Sequence, residues 1–394
     1  MSNVNSNVDR ADVGAPLPIR FDRRRFLVAA AVMGAVGAGA GVAVRELPID
    51  DERGRAEYEE AVRATWRHSD STDLPWPAAQ RELVRYGILA ANNHNSQPWR
   101  FRLLDRSIGI LPEFGPAGPA GDFDGHQLFA SLGCAAENMV QAAAAFGYRA
   151  IPSYRAATSD IQVDFYAETR RRTVLFDAIP QRQSTAADFD GRPVASEHLR
   201  LLEAAGTDDG VKILLLTERR QVDQIVAYMS EATSALIARP SFSSGFPPLM
   251  RFTYREALAT RDGMFVKPAG LPVLPEAVGR FIFSRPAFLE AFMRTFERQA
   301  RSSAGIAVFV SERNDRPHWV AAGRCCQRFC LQATALGIRS AFVNPQLDLP
   351  DVRGQLASYL GIGRRRPDLV LRFGYGRELP RSLRRPVEQV IVEA

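Results

Sequence analysis

The stretch ANNHNSQPWRF, Ala91 to Phe101, sets Asn92, Asn93, His94, Asn95 and Gln97 beside Trp99 at the end of an apolar segment. Amide side chains crowded against an aromatic anchor are costly to bury unless a partner satisfies them. Two further stretches carry donors of another kind: IPQRQSTA at 179–186, with Arg182 and Ser184, and LPRSLRRPVEQVI at 379–391, with Arg381, Arg384 and Arg385. Guanidinium groups offer planar paired donors, and with hydroxyl or backbone donors they make the set that a phosphate monoester requires. The alternative for the three C-terminal arginines is a solvated basic tail. Trp99 reads as a core anchor beside the site. His94 reads either as a donor to a bound molecule or as a structural residue of a polar turn.

Other chemistries are poorly supplied. Cys134, Cys325, Cys326 and Cys330 form neither a disulfide framework nor, with histidine, a metal site, and Cys325, Cys326 and Cys330 fit buried helix positions. No catalytic triad or carboxylate pair stands out. The formal net charge is +6, almost all of it arginine, with Lys212 and Lys267 the lysines. The basic residues are scattered among acids without an aromatic-interleaved stripe, which excludes nucleic acid as a partner. A non-metal cofactor is the reading that remains.

The elements that must position these residues are of both kinds. A chain of 394 residues, 46% hydrophobic and 24% charged, is globular in composition and long enough for two structural units. Strands are expected at 99–105, 161–167, 211–217, 305–311 and 369–376, and helices at 55–69, 76–90, 220–238 and 286–301. The segments 112–121 and 240–248 read as loops. Mixed order of this kind indicates an α+β protein with a sheet core.

Residues 133–149 and 323–339 echo one another. Gly133/Gly147 and Gly323/Gly337 have the same spacing around helical stretches that end in a glycine cap, followed by the strand candidates AIPSY and SAFV. The echo suggests two related halves.

The first residues carry an address. FDRRRFLVAAAVMGAVGAGAGVAV has the arginine pair Arg23-Arg24, then Phe26-Leu27 and an Ala/Gly-rich apolar run. It resembles a twin-arginine (Tat) signal, with Ala38-Gly39-Ala40 as a small-x-small cleavage site. The alternative is an uncleaved anchor over Phe26 to Val44. Either way the folded part is expected to be exported, to the periplasm or another extracytoplasmic space, through the Tat translocase. That route implies a chain transported already folded.

Together these motifs resemble the nitroreductase superfamily, and within it the Acg-like branch that binds FMN. LAANNHNSQPWRF is similar to the family's Asn-x-Gln-Pro-Trp segment, IPQRQSTA to its Arg-x-Ser-x-Arg segment, and LPRSLRRPVEQVI to its basic C-terminal segment. The resemblance covers roughly residues 57 to 392. It implies a nitroreductase-like fold of two fused halves, a monomeric pseudo-dimer: leader or anchor 1–45, linker 46–56, first half 57–172, and second half 173–394 with a lid-like insertion around 241–281. That insertion reads equally as helical packing between the halves.

The resemblance further implies FMN, with Asn92, Asn93, Asn95 and Gln97 addressing the isoalloxazine ring and Arg182, Ser184, Arg384 and Arg385 gripping the phosphate. By the same resemblance, Asn344 would lie near flavin N5 and donate from its backbone. Arg67 and Ser69 in RHSDS would be a relic of a second site. In two places the chain departs from the pattern. Ala186 stands where a second basic residue is usual, and Pro345 cannot donate where a glycine amide usually does. The implied activity is an oxidoreductase passing hydride through flavin N5 to a nitroaromatic, a quinone or a similar small acceptor, with NAD(P)H or another donor. The alternative is a flavin-binding or flavin-storing protein with little turnover.

Overall fold

Continuous apolar runs belong to strands covered on both faces, and alternation marks strands with one wet face. Both patterns occur in the computed structural model of the chain, which describes residues 52–114, 122 and 124–393. The leader at 1–45, residues 46–51 of the linker, and 115–121 of the segment expected as a loop lie outside the described residues. Among the described residues, no helix is long and apolar enough to cross a membrane.

The first sheet contains β1 (Trp99–Leu103), β2 (Ser107–Pro112), β3 (Tyr148–Arg155) and β4 (Asp160–Ala167). The second contains β5 (Val211–Leu216), β6 (Gly305–Ser311), β7 (Arg339–Phe342) and β8 (Arg366–Gly374). A short C-terminal strand, β9 (Ile391–Val392), returns to the first sheet and pairs parallel with β1, Phe101 opposite Ile391. The longer helices are α1 (Glu52–Thr65), α2 (Trp76–Gly87), α3 (His126–Phe146), α4 (Arg219–Ile237), α5 (Pro286–Arg301) and α6 (Arg316–Ala335).

The two sheets repeat one plan. The strand order is β9-β1-β2-β4-β3 in one and β5-β6-β8-β7 in the other, with every pair except β9·β1 antiparallel. In each, a long helix precedes the third strand: α3 before β3 and α6 before β7. Gly147 (φ 84°) and Gly337 (φ 71°) follow those helices in the left-handed conformation that glycine adopts without a Cβ penalty.

The helices α3 and α6 pack on each other at the other glycine of each pair. A Cβ on Gly133 would lie 2.1 Å from the Val320 carbonyl oxygen, and one on Gly323 would lie 2.0 Å from that of Ala130. Each glycine thus meets the residue three positions before its counterpart, the reciprocal pattern of a two-fold contact.

The repeat is broken between the first two strands. β1 and β2 are joined by a tight connection, whereas 217–304 separate β5 from β6 and contain α4, α5 and several short helices. The second sheet is consequently covered on both faces. Phe309 and Phe373 pack with Phe329 of α6 on one side, and Ile306, Val308 and Val370 pack with Ile225 of α4 on the other. β6 and β8 are buried along their whole length. In the first sheet β3 alternates between half-buried and exposed positions over its first six residues.

Three local expectations differ. Residues 52–56, read as linker, form the first part of α1. Residues 240–248, read as a loop, include a short helix, Pro240–Gly245. The strand β2 falls outside the expected strands, because SIGILP has neither a long apolar run nor alternation bounded by clear turns.

Candidate functional site

The apolar end of α2 and the start of β1 fix the chain on either side of the asparagine-rich loop: Leu83, Ile88, Leu89 and Trp99 are all buried in the first core. Between these anchors the loop turns sharply, with φ near 51° at His94, 55° at Asn95 and 50° at Gln97. Asparagine and histidine are among the few non-glycine residues that enter the left-handed region with some ease. Part of the polar composition of this stretch therefore serves its backbone. The α6 helix holds the loop's entry: Gln327 accepts from Ala91 N (3.1 Å) and donates to Asn138 Oδ1 (2.7 Å), which in turn donates through Nδ2 to Tyr86 O (2.8 Å).

The loop faces a cavity of about 330 Å³. Of the residues singled out from sequence, Asn92, Asn93, Asn95, Arg182, Ser184, Asn344 and Arg384 line it, as do His94, Ala186 and Pro345. Gln97 and Arg385 do not. Gln97 is fully buried, donating to Arg261 O (2.9 Å) and accepting from Arg385 N (2.8 Å). The Arg385 guanidinium pairs with Glu113 (2.7 Å) and donates to the carbonyls of Gln97 and Trp99. The structure therefore corrects the ligand roles of these two. They brace the loop against the C-terminal segment, because β9 pulls that segment alongside β1. Arg67 and Ser69 also lie away from the cavity, Arg67 in an ion pair with Asp70 (3.0 Å).

One end of the cavity is cationic. Arg182, Arg381 and Arg384 gather around one indole, with their Cζ atoms 5.9, 5.2 and 4.9 Å from the Trp66 ring centre, within cation–π range. Arg182 and Arg384 are 4% and 6% exposed. Their bonds go to carbonyls and an amide: Arg182 to Leu89 O (3.1 Å), and Arg384 to Ile88 O (2.8 Å) and Asn95 Oδ1 (2.6 Å). Arg381 donates to Arg182 O (3.0 Å).

Among the described residues no carboxylate pairs with any of the three; Glu378, the acid that acts on Arg381, is bound to Arg339 (2.9 Å). Burial, with repulsion from Arg182, pulls Arg384 down to about 9 and also lowers Arg381, and burial lowers Arg182. Each guanidinium stays charged at neutral pH, and the shifts reflect charge desolvated without a counter-anion. Ser184 adds a hydroxyl at the same end, on a segment held by the buried Arg372, which donates to Thr185 O (2.8 Å) and Ala187 O (2.9 Å).

The asparagines differ in how far they are already engaged. Asn95 is used on both sides, accepting from Arg384 and donating to Gly263 O (3.0 Å) and Leu383 O (3.2 Å). Asn92 accepts from Gln97 N (2.9 Å), and Asn344 Oδ1 accepts from Val370 N (2.9 Å). Asn93 Nδ2 is buried without a partner, as is Arg182 Nε. Asn95→Leu is therefore expected to lower the melting temperature, since it removes the 2.6 Å acceptor of Arg384 and takes the Asn95 donor from Gly263 O, while Leu383 O keeps Arg384 Nη1. Asn93→Leu should leave stability within about 1 kcal/mol of wild type, because it removes an unpaired buried donor. Thermal melts of the two variants decide this.

Several lining residues were not singled out from sequence. Trp66 sits between α1 and RHSDS, and nothing in that stretch marks it. Thr233 carried a faint signal, a hydroxyl on the otherwise apolar stripe Val222, Val226, Met229, Leu236 of α4. Asp348 lies in the run QLDLP, which gives no cue to burial. The 241–281 segment supplies Phe242, Phe246, Met264, Phe265, Pro268 and Ala269 to the wall, and His94 Nδ1 lies 3.3 Å from Met264 Sδ.

No family model matches the chain. It is similar to two proteins of Mycobacterium tuberculosis, from strains CDC 1551 and H37Rv, each named "Putative NAD(P)H nitroreductase". Identity is 24% over 340 residues, covering 82% of this chain and 93% of each relative. Solved structures with similarity include a nitroreductase with bound FMN from Bacteroides fragilis (13% identity, 54% of this chain and 94% of that one, TM-score 0.34). Another is a BluB-like flavoprotein from Clostridium difficile (14% identity, 55% and 96%, TM-score 0.37).

Proposed function

We propose that the protein is an FMN-dependent oxidoreductase of the nitroreductase superfamily, in which one chain supplies both halves of what is otherwise a dimer. The observation that carries this reading is the group of two buried arginines, Arg182 and Arg384, and the half-buried Arg381, without a counter-anion among the described residues and opening into the same cavity as an amide-rich loop. The residues present fit the cofactor. Arg182, Arg381 and Arg384 with Ser184 would hold its phosphate, and Asn93 Nδ2 and Arg182 Nε are donors still to be satisfied. Asn92 and Asn93 would face the polar edge of the ring. Bound FMN supplies two-electron transfer, which the protein's own side chains cannot provide.

The chain's part is to bind and orient. The loop anchored by Trp99 and Gln327 fixes the amides, Trp66 aligns the guanidinium groups, and the apolar wall from 219–301 excludes water. The relatives' name supports a nicotinamide donor and a small-molecule acceptor. The Arg23-Arg24 leader supports export of the loaded protein through the Tat translocase, with or without cleavage.

Pro345 in the lining favours a second reading, a flavin-holding protein with little turnover, since it removes one amide donor from the cavity wall. The test begins with colour. Protein purified from the extracytoplasmic fraction should be yellow and release a chromophore of the mass of FMN, and Arg23→Lys with Arg24→Lys should keep it in the cytoplasm. Reduction by NAD(P)H and reoxidation by an added acceptor at catalytic rates separates the enzyme from the storage protein. Material that stays colourless in excess FMN rules out both.

A further inference from the structure

The cationic end of the cavity rests on one side of the first helix. Tyr58 and Trp66 stand eight positions apart along α1 and the turn that continues it, where Trp66 N donates to Val62 O (2.9 Å), a spacing that keeps both on one stripe. Both hold the C-terminal segment by consecutive carbonyls. Tyr58 Oη donates to Arg381 O (2.6 Å) and Trp66 Nε1 to Ser382 O (2.8 Å). With the main chain fixed there, Arg381 and Arg384 bring their guanidinium groups to the indole, and Arg182 reaches the same ring from the 179–186 segment.

This gathering is held against repulsion. Arg182 disfavours the charge on both Arg381 and Arg384. The hydrogen bonds of the three go to separate acceptors: Arg182 to Leu89 O, Arg381 to Gln181 O and Arg182 O, and Arg384 to Ile88 O and Asn95 Oδ1. These acceptors fix each group singly. The Trp66 ring is shared by all three, and the face of an indole attracts cations.

We infer that Trp66 is a positioning residue of the phosphate site and sets the preference for a phosphorylated over an unphosphorylated flavin. The inference rests on the FMN reading above. In the empty cavity the ring keeps the three cations together, so an arriving phosphate meets donors already gathered. The work of bringing like charges close is then done in folding and is not subtracted from binding. A side chain without a π face leaves the three charges in place but loosens their arrangement, most of all at Arg381, which is half-buried where the other two are buried. Riboflavin has the same ring system and no phosphate, and gains nothing from the gathered cations.

The test measures binding alone. The cofactor-free full chain is titrated with FMN and with riboflavin, followed by flavin fluorescence, in wild type, Trp66→Leu and Trp66→Phe. Wild type should hold FMN at least about a hundredfold more tightly than riboflavin, as two charge-assisted hydrogen bonds to the phosphate would require. Trp66→Leu should lose about tenfold or more in FMN affinity, the scale of the cation–ring contacts removed, while riboflavin affinity stays within about twofold. Trp66→Phe keeps a ring for the cations and lacks the bond to Ser382 O. Its ratio of FMN to riboflavin affinity should lie within about threefold of wild type. Thermal melts show whether the variants fold. Trp66→Met, unbranched and flexible enough to fill the gap, carries the same expectation where Trp66→Leu does not fold.

A residue that only packs would weaken the two flavins alike. Equal losses for FMN and riboflavin in Trp66→Leu overturn the inference, as does an unchanged ratio. A ratio in Trp66→Phe as low as in Trp66→Leu assigns the effect to the Ser382 hydrogen bond and overturns the role of the ring. In each of these cases wild type still binds FMN and the reading beneath stands. Wild-type protein that binds neither flavin overturns that reading instead.

Discussion

FMN affinity is expected to fall about ten- to a hundredfold in Arg182→Met, and by a factor of about 10² to 10⁴ when Arg384→Met is added, at roughly 1.5–3 kcal/mol for each charge-assisted hydrogen bond to the phosphate that is removed. Titration of cofactor-free protein with FMN, followed by flavin fluorescence, measures the change. The cofactor-free protein should respond in the opposite sense. In the single variant its melting temperature should hold or rise, because Arg182 is a buried charge whose one hydrogen bond goes to Leu89 O and whose Nε has no partner. Replacing such a charge by an apolar side chain of similar length relieves desolvation. Arg384→Met alone should destabilise the empty protein, since Ile88 O, Ala90 O and Asn95 Oδ1 are each deprived of a donor. A side chain kept only for packing would not show affinity and stability moving apart. If Arg182→Met holds FMN as tightly as wild type, the phosphate does not sit among these guanidinium groups.

The second large effect is expected far from any ligand. Gly133→Ala and Gly323→Ala each place a methyl about 2 Å from a backbone carbonyl oxygen of the facing helix. Those oxygens belong to helical backbone and cannot rotate away as a side chain would. The α3 and α6 helices must separate, and overpacking of this kind costs about 1–3 kcal/mol and more where the backbone cannot yield. Each variant should be destabilised by about 3 kcal/mol or more in denaturant titration. Each should also bind FMN less well, since Ala130, Ser131 and Cys134 of α3 line the cavity. Alanine at Gly354, where an added Cβ meets nothing within 4 Å, is the control. An unchanged midpoint in Gly133→Ala would show that the helices do not cross as closely as described.

The glycine pairs also mark how much could be read from the chain. Their equal spacing suggested two related helices, and the sheets on either side repeat the same strand order. The spacing did not reveal that Gly133 and Gly323 meet each other's helix, because closeness between residues 190 positions apart is not a local property. The arginine stretches divide in the same way. Arg182 and Arg384 reach the cavity and Arg385 does not, although Arg384 and Arg385 are adjacent and chemically alike. What separates them is the course of the C-terminal segment, which turns Arg384 inward toward Trp66 and lays Arg385 along Glu113.

By itself the sequence determined what depends on neighbours along the chain. It placed the apolar strands and long helices, the glycine caps at 147 and 337, a loop of residues that tolerate a left-handed backbone, and a supply of guanidinium and amide donors. The tertiary structure alone decided which donors remain unsatisfied. The Asn93 amide is left over while that of Asn95 is consumed, and burial near Asp122 and Asp124 pushes the Asp348 carboxyl well above its usual range. Whether a polar atom has a partner depends on groups brought together from across the chain, and composition and spacing do not specify that meeting.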